Sequence, residues 1–118
     1  MLLSHSLDHG VLVITVHHDD PGIGGRAALP ARLEGLVHAY RPAPVVLSLE
    51  EPAVDTAAVS TVLGLHRVCR QLGMLMSVVS GSAPARRALE ARAATIGTRL
   101  VVHARTSTAM AAAFAVVA

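Results

Sequence analysis

The sequence predicts an α/β fold, a mostly parallel or mixed sheet of about five strands with about four helices, in one domain. Three observations predict it. VLVITV at 11–16 is β-branched and apolar, the character of a strand buried on both faces, and VVLSL at 45–49 and MLMSVVS at 74–80 read as a second and a third strand. The longer stretches between them repeat their apolar residues every three or four positions, the period of a helix. Strands therefore alternate with helices along 118 residues, which calls for crossover connections of one hand and a largely parallel sheet.

In chain order, residues 2–7 form a weak strand and Asp8-His9-Gly10 a turn, so the first two strands are expected to make a hairpin. Residues 17–25, HHDDPGIGG, read as a loop, because a proline and three glycines oppose any regular element. A helix is expected over 27–40, with Leu29, Leu33, Leu36, Val37 and Tyr40 on one side, and Arg41-Pro42 ends it by excluding the helical region ahead of the proline. Strand 45–49 stops at Glu50-Glu51-Pro52. After the helix that closes at Gly73 come strand 74–80, a helix over 84–94 with Ser82 as its N-cap, a strand over 99–103 and a final helix from Ser107.

The stretch from Ala53 to Gly73, AVDTAAVSTVLGLHRVCRQLG, organises the rest. Asp55 is placed to cap a helix, worth about 1 kcal/mol over alanine. Val59, Val62, Leu63, His66, Cys69 and Leu72 make one stripe, while Arg67, Arg70 and Gln71 face outward near the negative end of the helix dipole. Gly73 stands where a C′ glycine closes a helix.

These residues resemble the STAS domain, the family of anti-anti-sigma factors and of the cytoplasmic domains of sulfate transporters. Its signature is an apolar strand followed by Asp-Ser-Ser-Gly-Leu opening a helix that ends at a glycine. Here the strand is 45–49, Asp55-Thr56-Ala57-Ala58-Val59 stand at the signature, and Gly73 stands at the closing glycine. Only Asp55 and Gly73 match by identity. Asp20 is the counterpart of the aspartate that follows an earlier strand in the family. The resemblance implies a cytoplasmic, non-enzymatic signalling protein that regulates transcription by partner switching, an anti-sigma factor antagonist. Its partner would be an anti-sigma factor of the histidine-kinase-like ATPase family, met through Asp20, Asp55, Thr56, Ala57, Ala58, Val59 and Val62. The serine that such a kinase phosphorylates falls at Ala57, which has no hydroxyl, so the usual off-switch is absent there. Thr56, one residue earlier, is the candidate phosphosite, and Ser60 is the next hydroxyl along.

Composition bounds the alternatives. Tyr40 and Phe114 are the only aromatic rings besides histidine, which leaves no stacking platform for single-stranded nucleic acid. Residues 1–59 hold three arginines against seven acidic residues, a balance of minus four; residues 60–118 hold seven arginines against Glu90, a balance of plus six. This is a charge-polarised protein surface rather than a nucleic-acid stripe. Cys69 is the only cysteine, in keeping with a reducing compartment, and no run reaches the about 18 apolar residues of a membrane span.

The chemistry-bearing motifs read weakly. His17-His18-Asp19-Asp20 has metal-ligand types, but adjacent strand residues point to opposite faces, so no metal site is expected. Gly22-Ile23-Gly24-Gly25 before Arg26 lacks the spacing and the lysine of phosphate loops. No Gly-x-Ser-x-Gly elbow or Ser-His-Asp order is present, and His66 and His103 read as isolated, packed and hydrogen-bonded histidines. No cofactor is implied. Two other readings stay open: a structural STAS subunit that joins copies of itself or other STAS proteins through the apolar final helix, and a small-molecule or nucleotide-binding STAS module using residues 17–26.

Overall fold

A computed structural model describes residues 3–17, 22–50 and 56–117 of the chain. In order the elements are β1 (Leu3–Asp8), β2 (Val11–Val16), α1 (Gly22–Tyr40), β3 (Val45–Leu49), α2 (Thr56–Gln71), β4 (Met76–Ser80), α3 (Ala83–Thr95), β5 (Val101–His103) and α4 (Thr106–Val117). The five strands form one mixed sheet in the order β1-β2-β3-β4-β5, with β1 antiparallel to β2 and every other pair parallel. The fold is α/β, as the alternation of strand and helix patterns requires.

The hairpin turn is built on His9 (φ 51°) and Gly10 (φ 84°). Two successive residues with positive φ make the mirror-image turn whose twist suits a two-residue hairpin. Each of the next three connections moves one strand over in the same direction. Right-handed crossovers then put α1, α2 and α3 on one face of the sheet. Leu33 and Val37 of α1, Val62, Leu65 and Cys69 of α2 and Leu89 of α3 accordingly share one core with Leu12, Ile14, Leu47 and Val78. Burying a leucine or valine of this kind contributes about 1.5–3 kcal/mol.

Among the described residues, α4 covers the opposite face. Ala109 and Ala113 pack on Val11, Val46 and Val79, and Phe114 meets the ring of His9 at 5.7 Å, edge to face, beside the β1–β2 turn. With β5 at one end of its path and the β1–β2 turn at the other, α4 crosses the sheet obliquely. The residues further along the strands on this face, Thr15 and Ser48, are polar and partly exposed.

Two helices end in the same way. Gly73 (φ 71°) donates to the Arg70 carbonyl while Met74 donates to that of Cys69. Gly97 (φ 72°) and Thr98 repeat the pattern on Ala94 and Ala93. Both are Schellman motifs, in which glycine takes the left-handed position without a Cβ penalty. Met74 belongs to this cap and is buried against the core, so β4 begins at Met76 rather than at 74. In α3, Ser82 caps as expected, its Oγ accepting from Ala85 N at 3.3 Å.

The expected loop over 17–25 is overturned at residues 22–25. Residues 22–25 are not loop: α1 starts at Gly22 and runs through Pro30 to Tyr40. Glycine costs a helix about 1 kcal/mol relative to alanine but does not forbid it. Pro30 removes one helical hydrogen bond, and Leu33 and Val37 beyond it are held by core packing.

Candidate functional site

The parallel strands deliver their carboxyl ends to one edge of the sheet, the edge where open α/β sheets gather their functional loops. β2 ends there at Val16, β3 at Leu49 and β4 at Ser80, and α2 starts from the same edge. Within α2, Ala57 is exposed, Ala58 is half-buried, and Val59 and Val62 are 4% and 2% exposed. The two valines therefore seat the helix on the sheet, and the surface of its opening turns belongs to Ala57 and Ser60. Thr61 has its hydroxyl tied back to the Ala57 carbonyl at 3.0 Å. Thr56 is the first helical residue. Asp20, Asp55 and the Thr56 side chain lie outside the described residues, as do His18 and Asp19.

Beside this surface runs a cleft of about 280 Å³ between α1 and α2. Pro30 and Glu34 form its α1 wall and Ser60, Thr61 and Gly64 its α2 wall, with leucines from both helices beneath. Its small α2 residues let another backbone approach closely.

The same edge holds a chain of polar contacts that no local motif announces. Glu50 N extends the ladder by donating to Val16 O at 3.1 Å. Its carboxylate accepts from His17 Nδ1 at 3.0 Å, and His17 Nε2 meets Ser4 Oγ at 2.7 Å. A carboxylate only accepts, so Nδ1 carries the proton; a neutral ring then presents its Nε2 lone pair to the serine hydroxyl. Serine, imidazole and carboxylate thus stand in relay order, although the sequence has no Ser-His-Asp order. Ser4 and Glu50 are exposed and His17 is partly so, which makes the chain a solvent-open clasp joining β1, β2 and β3. Nearby, buried Ser80 accepts from Ser82 N through Oγ and from Arg86 Nη1 through its carbonyl, which ties the β4–α3 connection to the strand end.

The far end of α2 is different in character. A second cleft, about 410 Å³, lies between the ends of α2 and α3 and is lined by Leu63, His66, Arg67, Arg70, Gln71, Ile96 and Thr98. His66 is only 8% exposed. Burial, and after it the neighbouring Arg70, lowers its pKa from 6.5. His66 and His103 are packed as expected, but neither is hydrogen-bonded through its ring among the described residues, and His103 Nε2 is fully enclosed. Cys69 is buried and its thiol is pushed up to about 11 by desolvation, so it is a core residue and not a nucleophile.

No family model and no curated protein matches the chain. Among the described residues, no three metal-ligating side chains come together, and no helix is long and apolar enough to cross a membrane.

Proposed function

We propose that this chain is a cytoplasmic protein-binding regulator of the STAS kind, an anti-sigma factor antagonist that engages a histidine-kinase-like ATPase through the start of α2. The observation that carries the reading is the exposure of Ala57 and Ser60 on the opening turns of that helix, beside the α1–α2 cleft. Small side chains there let a partner close on the helix without displacing the buried Val59 and Val62. The order of elements supports the same analogy at the level of fold. In this reading Ala57 leaves the contact unphosphorylated, and any phosphate switch acts at Thr56 or Ser60. A phosphate adds about two negative charges, which the positive end of the helix dipole tolerates and a partner's contact surface does not.

The test uses Ala57→Ser with a co-purified kinase-type partner and ATP. The variant gains one phosphate at residue 57 by mass spectrometry; a variant that binds the kinase yet stays unmodified contradicts the alignment of this helix with the signature.

A second reading, a structural subunit joining copies of this chain, has its own observation. Leu75 and Val101 are 53% and 46% exposed and border an apolar groove of about 170 Å³ against α4. Concentration-dependent mass in solution separates it from the first: a regulator of the first kind stays monomeric over the range in which a subunit assembles.

A further inference from the structure

The cleft at the end of α2 is built from three pieces of local structure. Leu63, His66, Arg67 and Arg70 recur at three- and four-residue spacing, so they share one stripe of the helix. The Schellman turn at Gly97 brings Ile96 and Thr98, on either side of it, to the opposite wall. The residues that line the cleft all come from the second half of the chain, whose charge balance is plus six, and Glu90, the only acidic residue of that half, does not line it.

Two features set this cleft apart from a solvated basic surface. Among the described residues neither Arg67 nor Arg70 is paired with a carboxylate. Beneath them His66, almost wholly buried as a residue, lines the same cleft. Arginines near a helix C-terminus are explained by the helix dipole. The dipole does not account for an almost wholly buried imidazole standing in the cleft wall beside them. The wall thus offers two guanidinium forks, an imidazole, an amide and a hydroxyl, with Leu63 and Ile96 as its apolar part. A lone carboxylate cannot use that many donors. The three terminal oxygens and double charge of a phosphate monoester can.

We propose that this cleft binds a small phosphate monoester, with Arg67 and Arg70 holding the phosphate, His66 and Thr98 donating to it, and Leu63 and Ile96 against the apolar group it esterifies. The site is separate from the opening turns of α2 and does not depend on the partner-switching reading.

The experiment titrates the full chain with phenyl phosphate, inorganic phosphate and benzoate, following the His66 ring resonances by NMR and the heat of binding by calorimetry. Phenyl phosphate binds saturably, moves the His66 resonances and binds more tightly than inorganic phosphate. Arg67→Gln and Arg70→Gln, both at exposed positions, each weaken it by about tenfold, the scale of one lost charge-assisted hydrogen bond. Glu90→Gln leaves it unchanged. Non-saturating shifts, binding indifferent to Arg70→Gln, or benzoate binding as tightly as phenyl phosphate would each overturn the proposal.

Discussion

The two ends of α2 sit on the same helix and share the same buried stripe, yet they present opposite surfaces. At its start the outer residues are Ala57, Ser60 and Gly64, small and uncharged; at its end they are Arg67, Arg70 and Gln71, long and polar, two of them cationic. The stripe of Val59, Val62, Leu65 and Cys69 runs beneath both. Packing sets where the helix lies and leaves its outer face free to differ along its length. A protein partner is proposed at the first end and a phosphate monoester at the second.

If the stripe is common to both ends, damage to its middle should harm the whole fold rather than one surface. Leu65→Ala, at a site 3% exposed, is expected to lower unfolding free energy by about 2–5 kcal/mol in urea denaturation. A loss well under that range would mean that α2 is held by its ends.

The two glycines of the region sharpen the comparison through their opposite signs. Gly73→Ala puts a Cβ on a residue at φ 71° and should cost about 1–2 kcal/mol even though the space around it is open. Gly64→Ala adds a Cβ to a mid-helix position with nothing within 4 Å, and should stabilise by roughly 0.5–1 kcal/mol. Paired thermal melts of the two variants check both directions.

The smallest expected effect is the acid sensitivity of the basic end. Burial first and Arg70 second hold the His66 pKa below 6.5. The folded chain therefore takes up that proton less readily than the unfolded chain. The stability tied to it is complete above the unfolded value and is lost as pH falls through the lowered folded value. The urea midpoint of the wild type should drop more between about pH 7.5 and about pH 5 than that of His66→Leu; equal drops would place the imidazole in ordinary solvent.

Much of this architecture is legible in the residues themselves. The β-branched runs at 11–16 and 45–49 are strands over the same residues, the positions around Gly73 and Ser82 cap their helices, and Arg41-Pro42 ends α1 at Tyr40. Local pattern decides these features, so local pattern reveals them. The start of α1 was hidden because Gly22, Gly24 and Gly25 carry the signal of a loop while the structure continues the helix through them. Leu65 escaped the apolar stripe, which the sequence places through Leu63 and His66, yet it is among the most buried residues of α2. The Ser4–His17–Glu50 clasp joins residues 13 and 33 positions apart. Strand register creates it, and no motif spans such a gap. The basic cleft likewise needs the turn after α3 to bring Thr98 to Arg70. Periodicity along one helix shows a stripe but not what another helix lays against it.

The proposed protein-binding surface on the opening turns of α2 is open to a direct test, a pull-down from the native lysate. The purified chain and its Ser60→Arg variant serve as parallel baits, with retained proteins and bait mass both read by mass spectrometry. Ser60 is exposed, so the arginine leaves the fold intact. The wild type is expected to enrich a histidine-kinase-like ATPase and the variant to lose it. Equal retention of that ATPase by both baits, or retention by the wild type of nothing but its own copies, would rule the surface out.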